Sequence, residues 1–452
     1  VVGVAVFTLA SASIHAQRPS VANAAASTFT LAQVKSYPFP TELVAAPTGA
    51  RIAWAFEEAG VRNVYVAEAP DWKARKLTGY TEDDGQELTS LAISADGARV
   101  VYVRGGDHGS NWNDALPVNP AGSPTPVTVQ VWSIPFAGGE AKSLGEGDLP
   151  EISPKSDLVA FVKDRQVWSA PIDGSAPAKK LFTAHGENEE IQWSPDGSRL
   201  AFVSNRGDHA FVGVYTNAAT PILWIAPSTS RDSMPRWSPD GRRIAFVRRP
   251  GAGGPPAPIL ERRRQPWAIW TADTTSGEGQ ALWTTGPALA DSYPTTDGGA
   301  NLHWAALGRI TFLSYSDGWP HLYSISDRGG APLLLTPGNF MAEHIRISPD
   351  GRSLVFTANA GPAAEDLNRR HVLRVPVDRT AAEVLFNEAV ALETEGNIPK
   401  ACEAFEASNR IEPRAGTLIR LGQCREKQQL FVSAWSAYKD ALTRVKDPAK
   451  KK

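Results

Sequence analysis

Near copies of one short segment recur along the chain, and this repetition limits the fold more than any other feature. Ile191-Gln-Trp-Ser-Pro-Asp-Gly197 and Pro235-Arg-Trp-Ser-Pro-Asp-Gly241 are almost identical, and Ile345-Arg-Ile-Ser-Pro-Asp-Gly351 is a third copy. Looser versions occupy Ile93–Gly97, Ile152–Ser156, Ala45–Gly49 and Trp304–Gly308. The turn cores start at 45, 93, 152, 193, 237, 304 and 347, with spacings of 48, 59, 41, 44, 67 and 43 residues. The shortest spacings suit a blade of four short strands, roughly 40–50 residues, and the longer ones leave room for insertions.

Each repeat has a local mechanical reading. In Ser-Pro-Asp-Gly, Ser can bond backbone at the first turn position, Pro presets φ at the second and Gly closes the fourth. The strands that follow, such as Arg199–Val203, Arg243–Val247 and Ser353–Thr357, are apolar almost throughout, as strands buried on both faces are. An aromatic strand then recurs at Val64–Val66, Val131–Ile134, Val167–Ala170, Leu223–Ile225, Ile269–Thr271 and Leu322–Ile325. Four-stranded units of this kind hide both faces only when neighbours cover them. The expected fold is therefore an all-β propeller over 29–378 with seven recognisable four-stranded blades, eight being the alternative, and a small C-terminal all-α segment.

Composition excludes several functions. Lys plus Arg number 46 and Asp plus Glu 48, a formal charge of -2, so no basic field exists to hold a nucleic-acid backbone. The only cysteines are Cys402 and Cys424, and the eight histidines form no metal-binding motif, so neither metal nor cofactor is expected. The N-terminal VVGVAVFTLASASIHAQ reads as a secretory signal over 1–17 whose start is missing, or as a buried strand or helix. The first reading places the protein outside the cytoplasm, periplasmic or extracellular, with no membrane span in the mature chain.

The repeats, with SYPFPTELVAAPTGARIAW, TSRDSMPRWSPDGRRIAFVR, DGWPHLYSI and DLNRRHVLRVPVD, resemble the N-terminal propeller of bacterial dipeptidyl peptidase IV-like serine peptidases of the prolyl oligopeptidase class. More distantly they are similar to TolB-type and WD40-like propellers. The resemblance covers about Ser36 to Asp378. In that family a C-terminal α/β-hydrolase domain supplies the nucleophile on a G-x-S-x-G elbow. No Ser here has Gly two residues away on both sides, and nothing after Asp378 resembles a hydrolase. The resemblance further implies an acidic pair that holds a substrate amine. Glu189 and Glu190 are the candidates, against a reading as solvated charge at the start of a strand. The expectation is a non-catalytic binding or scaffold module for a peptide or protein partner, the alternative being a serine peptidase whose hydrolase domain is missing.

From Ala381 the sequence turns rich in Ala, Glu and Leu, with apolar spacings of three and four up to Pro413. Leu385, Ala389, Gly396, Ala401, Phe405, Ser408 and Pro413, followed by Gly422, Ala434, Tyr438 and Ala441 at an offset of 33, resemble a pair of tetratricopeptide repeats over 381–447. Two repeats are marginal alone, so they dock on the propeller, pair with another chain, or have lost neighbours. The repeat alignment puts Cys402 and Cys424 on adjacent helices, as a disulfide or as two buried thiols.

Weaker candidates complete the list. Asp107-His108 and Asp208-His209 follow equivalent strands and read as loop bridges to backbone, or as a ligand site. The insertion Arg248 to Gln265 carries Arg262, Arg263 and Arg264, a rim loop or a site for an acidic partner. Ser314, Asp317 and His321 are close enough in sequence for a chance triad, but Asp317-Gly318 is a hairpin turn signal. The basic tail 448–452 reads as a solvated end.

Overall fold

The computed structural model describes residues 30, 31, 33, 38–105, 128–253, 262–360 and 368–445. The signal reading of 1–17, Asp107, His108 and the tail 448–452 lie outside these residues.

The described chain is mostly β. Seven antiparallel meanders follow one another among the described residues, beginning with the strands Phe39–Ala45, Leu88–Ile93, Asp148–Ile152, Glu187–Trp193, Arg231–Trp237, His303–Ala305 and Ala342–Ile347. The first six have four strands and the seventh has three, ending at His371–Pro376. The fourth and fifth are joined by a single parallel bridge, Ala210 to Arg231. From the first meander to the sixth, each opening strand contacts the next, so the opening strands are innermost and the sheets radiate from them.

The turn motif holds together as its residues require. Ser194 Oγ donates to Asp196 Oδ1 at 2.6 Å and accepts the Arg199 N–H at 2.9 Å, while Gly197 N–H bonds Ser194 O at 2.8 Å. Gly197 has φ +67, a region that favours glycine. Ser94, Ser238 and Ser348 repeat the arrangement with Asp96, Asp240 and Asp350.

The second strands explain the stacking. Side chains alternate between faces, so Ile244 and Phe246 pack toward the fourth meander while Ala245 and Val247 pack toward the sixth. Six apolar cores, each between consecutive meanders, arise in this way. One expected aromatic strand is placed differently. The third strand of the fourth meander is Ala210–Tyr215, and Leu223–Ile225 is its outermost strand. Gly213 stands between Phe202 and Trp224 in the ladder, where a Cβ would lie 2.6 Å from the Phe202 ring and 3.0 Å from the Trp224 ring.

Four helices follow: α1 (Ala381–Thr394), α2 (Ile398–Ile411), α3 (Ala415–Lys427) and α4 (Phe431–Arg444). Thr380 caps α1 in a capping box with Glu383. Ala381 N–H bonds Leu335 O at 2.9 Å, and Val384 and Leu385 face Phe356, Leu373 and Val375 across a cavity of about 530 Å³, so α1 docks on the last two meanders. Cys402 on α2 and Cys424 on α3 form a disulfide with Cα atoms 5.5 Å apart. Closing a loop of 22 residues corresponds to about 3 kcal/mol in the chain-entropy model. Thermal unfolding followed at 222 nm should therefore show the helical signal lost at lower temperature in reductant or in Cys424→Ala, and an unchanged curve would refute the bond's contribution.

Candidate functional site: the axial channel

Each innermost strand breaks its ladder at one place. Glu42, Ser90, Leu149, Glu190, Met234, Asn301 and His344 all have φ between +45 and +56. Each stands three residues before a turn core. In six meanders the register shifts at this point, so that two residues oppose one. In the sixth, Leu313 N–H bonds Ala300 O at 2.7 Å and Asn301 and Leu302 fill the same place. The residue opposite is aromatic every time: Trp54, Tyr102, Phe161, Phe202, Phe246, Phe312 and Phe356.

After the bulge, one residue of each opening strand stands just before the turn core: Val44, Ala92, Glu151, Gln192, Arg236, His303 and Arg346. Five of these are polar, Gln192 and the ionisable Glu151, Arg236, His303 and Arg346. The ionisable four belong to the third, fifth, sixth and seventh meanders, yet Glu151 acts electrostatically on Arg236, and both arginines act on His303. Gln192, Arg236, His303 and Ile347, from four consecutive sheets, line one cavity. It measures about 390 Å³ and is also lined by Trp193, Trp237 and Trp304.

The electrostatics follow from low solvation. Burial pushes the Glu151 carboxyl up to about 7 against the pull of Arg236. Burial, then the positive charges of Arg236 and Arg346, hold the His303 imidazole down at about 3, so it is neutral at ordinary pH. Its Nε2 is buried without a hydrogen-bond partner. Arg236 is clasped by backbone, with Nε donating to Leu302 O at 2.8 Å and Nη1 to Pro235 O at 2.9 Å. Arg346 Nη1 donates to Ile345 O at 3.0 Å.

The residues singled out in the sequence are scattered around this centre. Glu190 sits at a bulge inside a strand, where its carboxylate accepts the Met234 N–H. Its side chain is exposed to solvent. Its neighbour Glu189 accepts from Asn205 Nδ2 at 3.4 Å, so the two carboxylates engage different partners. Asp208 and His209 bond each other at 2.6 Å instead of bridging backbone, because the hairpin's own Arg206 to His209 bond already satisfies those groups. Arg248 belongs to the strand Arg243–Arg249 and not to an insertion. Arg262 and Arg263 are exposed, whereas Arg264 Nη2 is held by Thr285 O at 3.2 Å and Thr285 Oγ1 at 3.1 Å, so the three form no common cluster.

Ser314, Asp317 and His321 do not assemble a triad. His321 Nδ1 meets Asp317 Oδ2 at 2.6 Å, but Ser314 Oγ pairs with Ser316 Oγ at 2.9 Å and His321 Nε2 has no partner. Sequence reasoning passed over Glu151, Arg236, His303 and Arg346. Their signal was the column just before the turn cores, read down the repeats instead of along the chain.

No family model matches the sequence, and no curated protein matches it. Among solved structures, a puromycin-hydrolysing peptidase from Mycobacterium tuberculosis is similar with TM-score 0.50 at 16% identity, over 77% of this chain and 52% of that one. Porphyromonas gingivalis dipeptidyl peptidase 4 gives TM-score 0.48 at 15% identity, over 74% and 51%. The β-propeller domain of the trilobed protease from Pyrococcus furiosus gives 0.44 at 10%, over 75% and 93%. The chain thus spans about half the length of the first two. The likeness is one of fold: a propeller-like arrangement of antiparallel sheets. No helix among the described residues is long and apolar enough to cross a membrane.

Proposed function

We propose that the seven meanders act as the blades of a propeller module that captures a peptide or protein ligand at its axial channel, and that the chain alone cleaves no peptide bond. The carrying observation is the convergence of Gln192, Arg236, His303 and Ile347 from four separate sheets on one cavity. Convergent polar groups in a concave site are what a binding site needs. Hydrolysis needs in addition a nucleophile on a base, and His321 Nε2 has no Ser on it. The four helices, read as a pair of tetratricopeptide repeats, add an interaction surface. The apolar N-terminal run and the Cys402–Cys424 bond support export to an oxidising compartment.

Two measurements test this reading. Dipeptidyl and aminoacyl-proline chromogenic substrates should show no turnover above a buffer blank. Activity abolished by mutating one Ser of this chain would instead restore the peptidase reading. Labelled peptides followed by fluorescence anisotropy should bind the wild type and lose binding in Ala92→Trp, which fills an axial position. Peptide capture that Ala92→Trp leaves intact would remove the channel from the function.

A further inference from the structure

We infer that the open edge of the seventh meander takes an extended segment of a partner protein as its fourth strand, and that the sequence Leu-Leu-Thr fits it. The site lies at the outer rim, apart from the axial channel.

The first six meanders have a fourth strand, and three of them show how it is held. In the first, Val64 N–H donates to Thr78 Oγ1 at 2.9 Å and Val64 O accepts the Leu77 N–H at 2.8 Å. In the sixth, Leu322 N–H donates to Thr336 Oγ1 at 2.9 Å and Leu322 O accepts the Leu335 N–H at 2.8 Å. In the third, Val167 O accepts the Leu181 N–H at 3.0 Å. Each of these residues precedes an aromatic one whose partner stands opposite the bulge: Tyr65 pairs with Trp54, Tyr323 with Phe312 and Trp168 with Phe161. Leu373 pairs with Phe356 in the same register, so Val372 belongs to this column and turns its N–H and C=O to the open edge.

That edge has no strand on it among the described residues. Val372 is 74% exposed, whereas Val64, Val167 and Leu322 are buried. Val377 to Thr380 lead directly from the strand His371–Pro376 into α1, so the chain makes no fourth strand at this point. The segments outside the described residues contain no Leu-Thr. The occupant is therefore assigned to another chain, which an unpaired edge recognises through backbone hydrogen bonds.

The preferred side chains follow from the same column. Leu77 packs in one core with Val64, and Leu335 in another with Leu322, so the incoming Leu covers Val372. The residue before it stands opposite the aromatic position: Lys76 lies over the Tyr65 ring, Lys180 lies over the Trp168 ring, and Leu334 pairs with Tyr323. Leu373 offers no ring to a cation. It borders the cavity of about 530 Å³ instead, whose walls include Phe340, Phe356, Val384 and Leu385, with Arg374 and Arg410 beside them. An apolar residue suits that space, and a lysine would be desolvated there without a partner.

Fluorescence anisotropy of the full chain with a labelled peptide copying residues 331–338, Ala-Pro-Leu-Leu-Leu-Thr-Pro-Gly, tests this. Saturable binding is expected. Methylating the amide of the third Leu, which would reach Val372 O, should weaken binding about tenfold, as should Lys in place of the second Leu. Val372→Pro removes the outward donor while keeping the pairing with Thr357, because an edge strand tolerates Pro, and should abolish binding. Val372→Glu supplies a second variant, and thermal unfolding confirms that each folds. In the free chain the Val372 amide should exchange freely with solvent and become protected when the peptide binds. No saturable binding, or binding unchanged in folded Val372→Pro or Val372→Glu, overturns the inference. So does a Val372 amide already protected in the free chain, as a second copy or the chain's own N-terminus would protect it. Ala92→Trp should leave this binding intact. Binding that Ala92→Trp removes and Val372→Pro keeps would put the peptide in the axial channel, sinking this inference while the channel reading stands.

Discussion

Replacing Asp232 with Ala should lower stability by about 3–5 kcal/mol, measured by urea unfolding with tryptophan fluorescence. Asp232 and Arg248 are directly opposed on neighbouring strands, with Nε to Oδ1 at 2.7 Å and Nη2 to Oδ2 at 2.8 Å. Their side chains are only 0% and 10% exposed, so removing the carboxylate strands a desolvated guanidinium 4.1 Å above the Trp270 ring. The same residues predict a compensation. Burial raises the Asp232 carboxyl above its ordinary value despite the pull of Arg248. A raised folded value means that the folded state holds its proton more tightly, so stability falls as pH climbs from the ordinary carboxylate value to the raised one, then levels off. The double variant Asp232→Leu/Arg248→Met should therefore cost less than either single change. A single-variant loss below about 1 kcal/mol would mean that water reaches the pair.

Phe246→Ala should cost a similar amount, about 3–5 kcal/mol, with a second effect that a plain cavity would not produce. Phe246 is fully buried between the fourth and fifth meanders and stands opposite the Met234–Pro235 bulge. Met234 is held at φ +55, which no intrinsic preference of methionine favours. Without the ring, that bulge should relax and Arg236, two residues on, should turn from the axis. Hydrogen exchange at Met234–Trp237 should accelerate by more than global destabilisation accounts for. Uniform acceleration over the whole fifth meander would show that the ring only fills space.

The repeated turn and the apolar strand after it were legible because both are local. Ser-x-Asp-Gly carries its own hydrogen bonds, and Leu-Ala-Phe-Val or Ile-Ala-Phe-Val says directly that both faces are buried. The bulges were not legible. Glu42, Ser90, Leu149, Glu190, Met234, Asn301 and His344 share no chemistry, and only asparagine and histidine among them tolerate a left-handed backbone with any ease. An aromatic residue stands opposite each of them on the adjoining strand, a pairing that only the tertiary fold brings about. The axial residues were hidden for the same reason, since a bulge changes which face the following side chain takes. Trp224 was misplaced because the aromatic signature does not distinguish the third strand from the fourth. Gly213 held the distinguishing information, by leaving the third strand without a side chain where the two rings meet.

The order Val44, Ala92, Glu151, Gln192, Arg236, His303, Arg346 can be taken as a word of seven letters written around the axis. Six of the seven lie outside the apolar cores that cement neighbouring sheets, Val44 alone packing against one. A lineage could rewrite this word one letter at a time, acidic to basic or polar to apolar, while the walls that display it keep their mortar. Inheritance of the scaffold and inheritance of the message are then separable. Sequences sharing this architecture should diverge fastest where they differ in purpose, in the column that a search for common residues passes over.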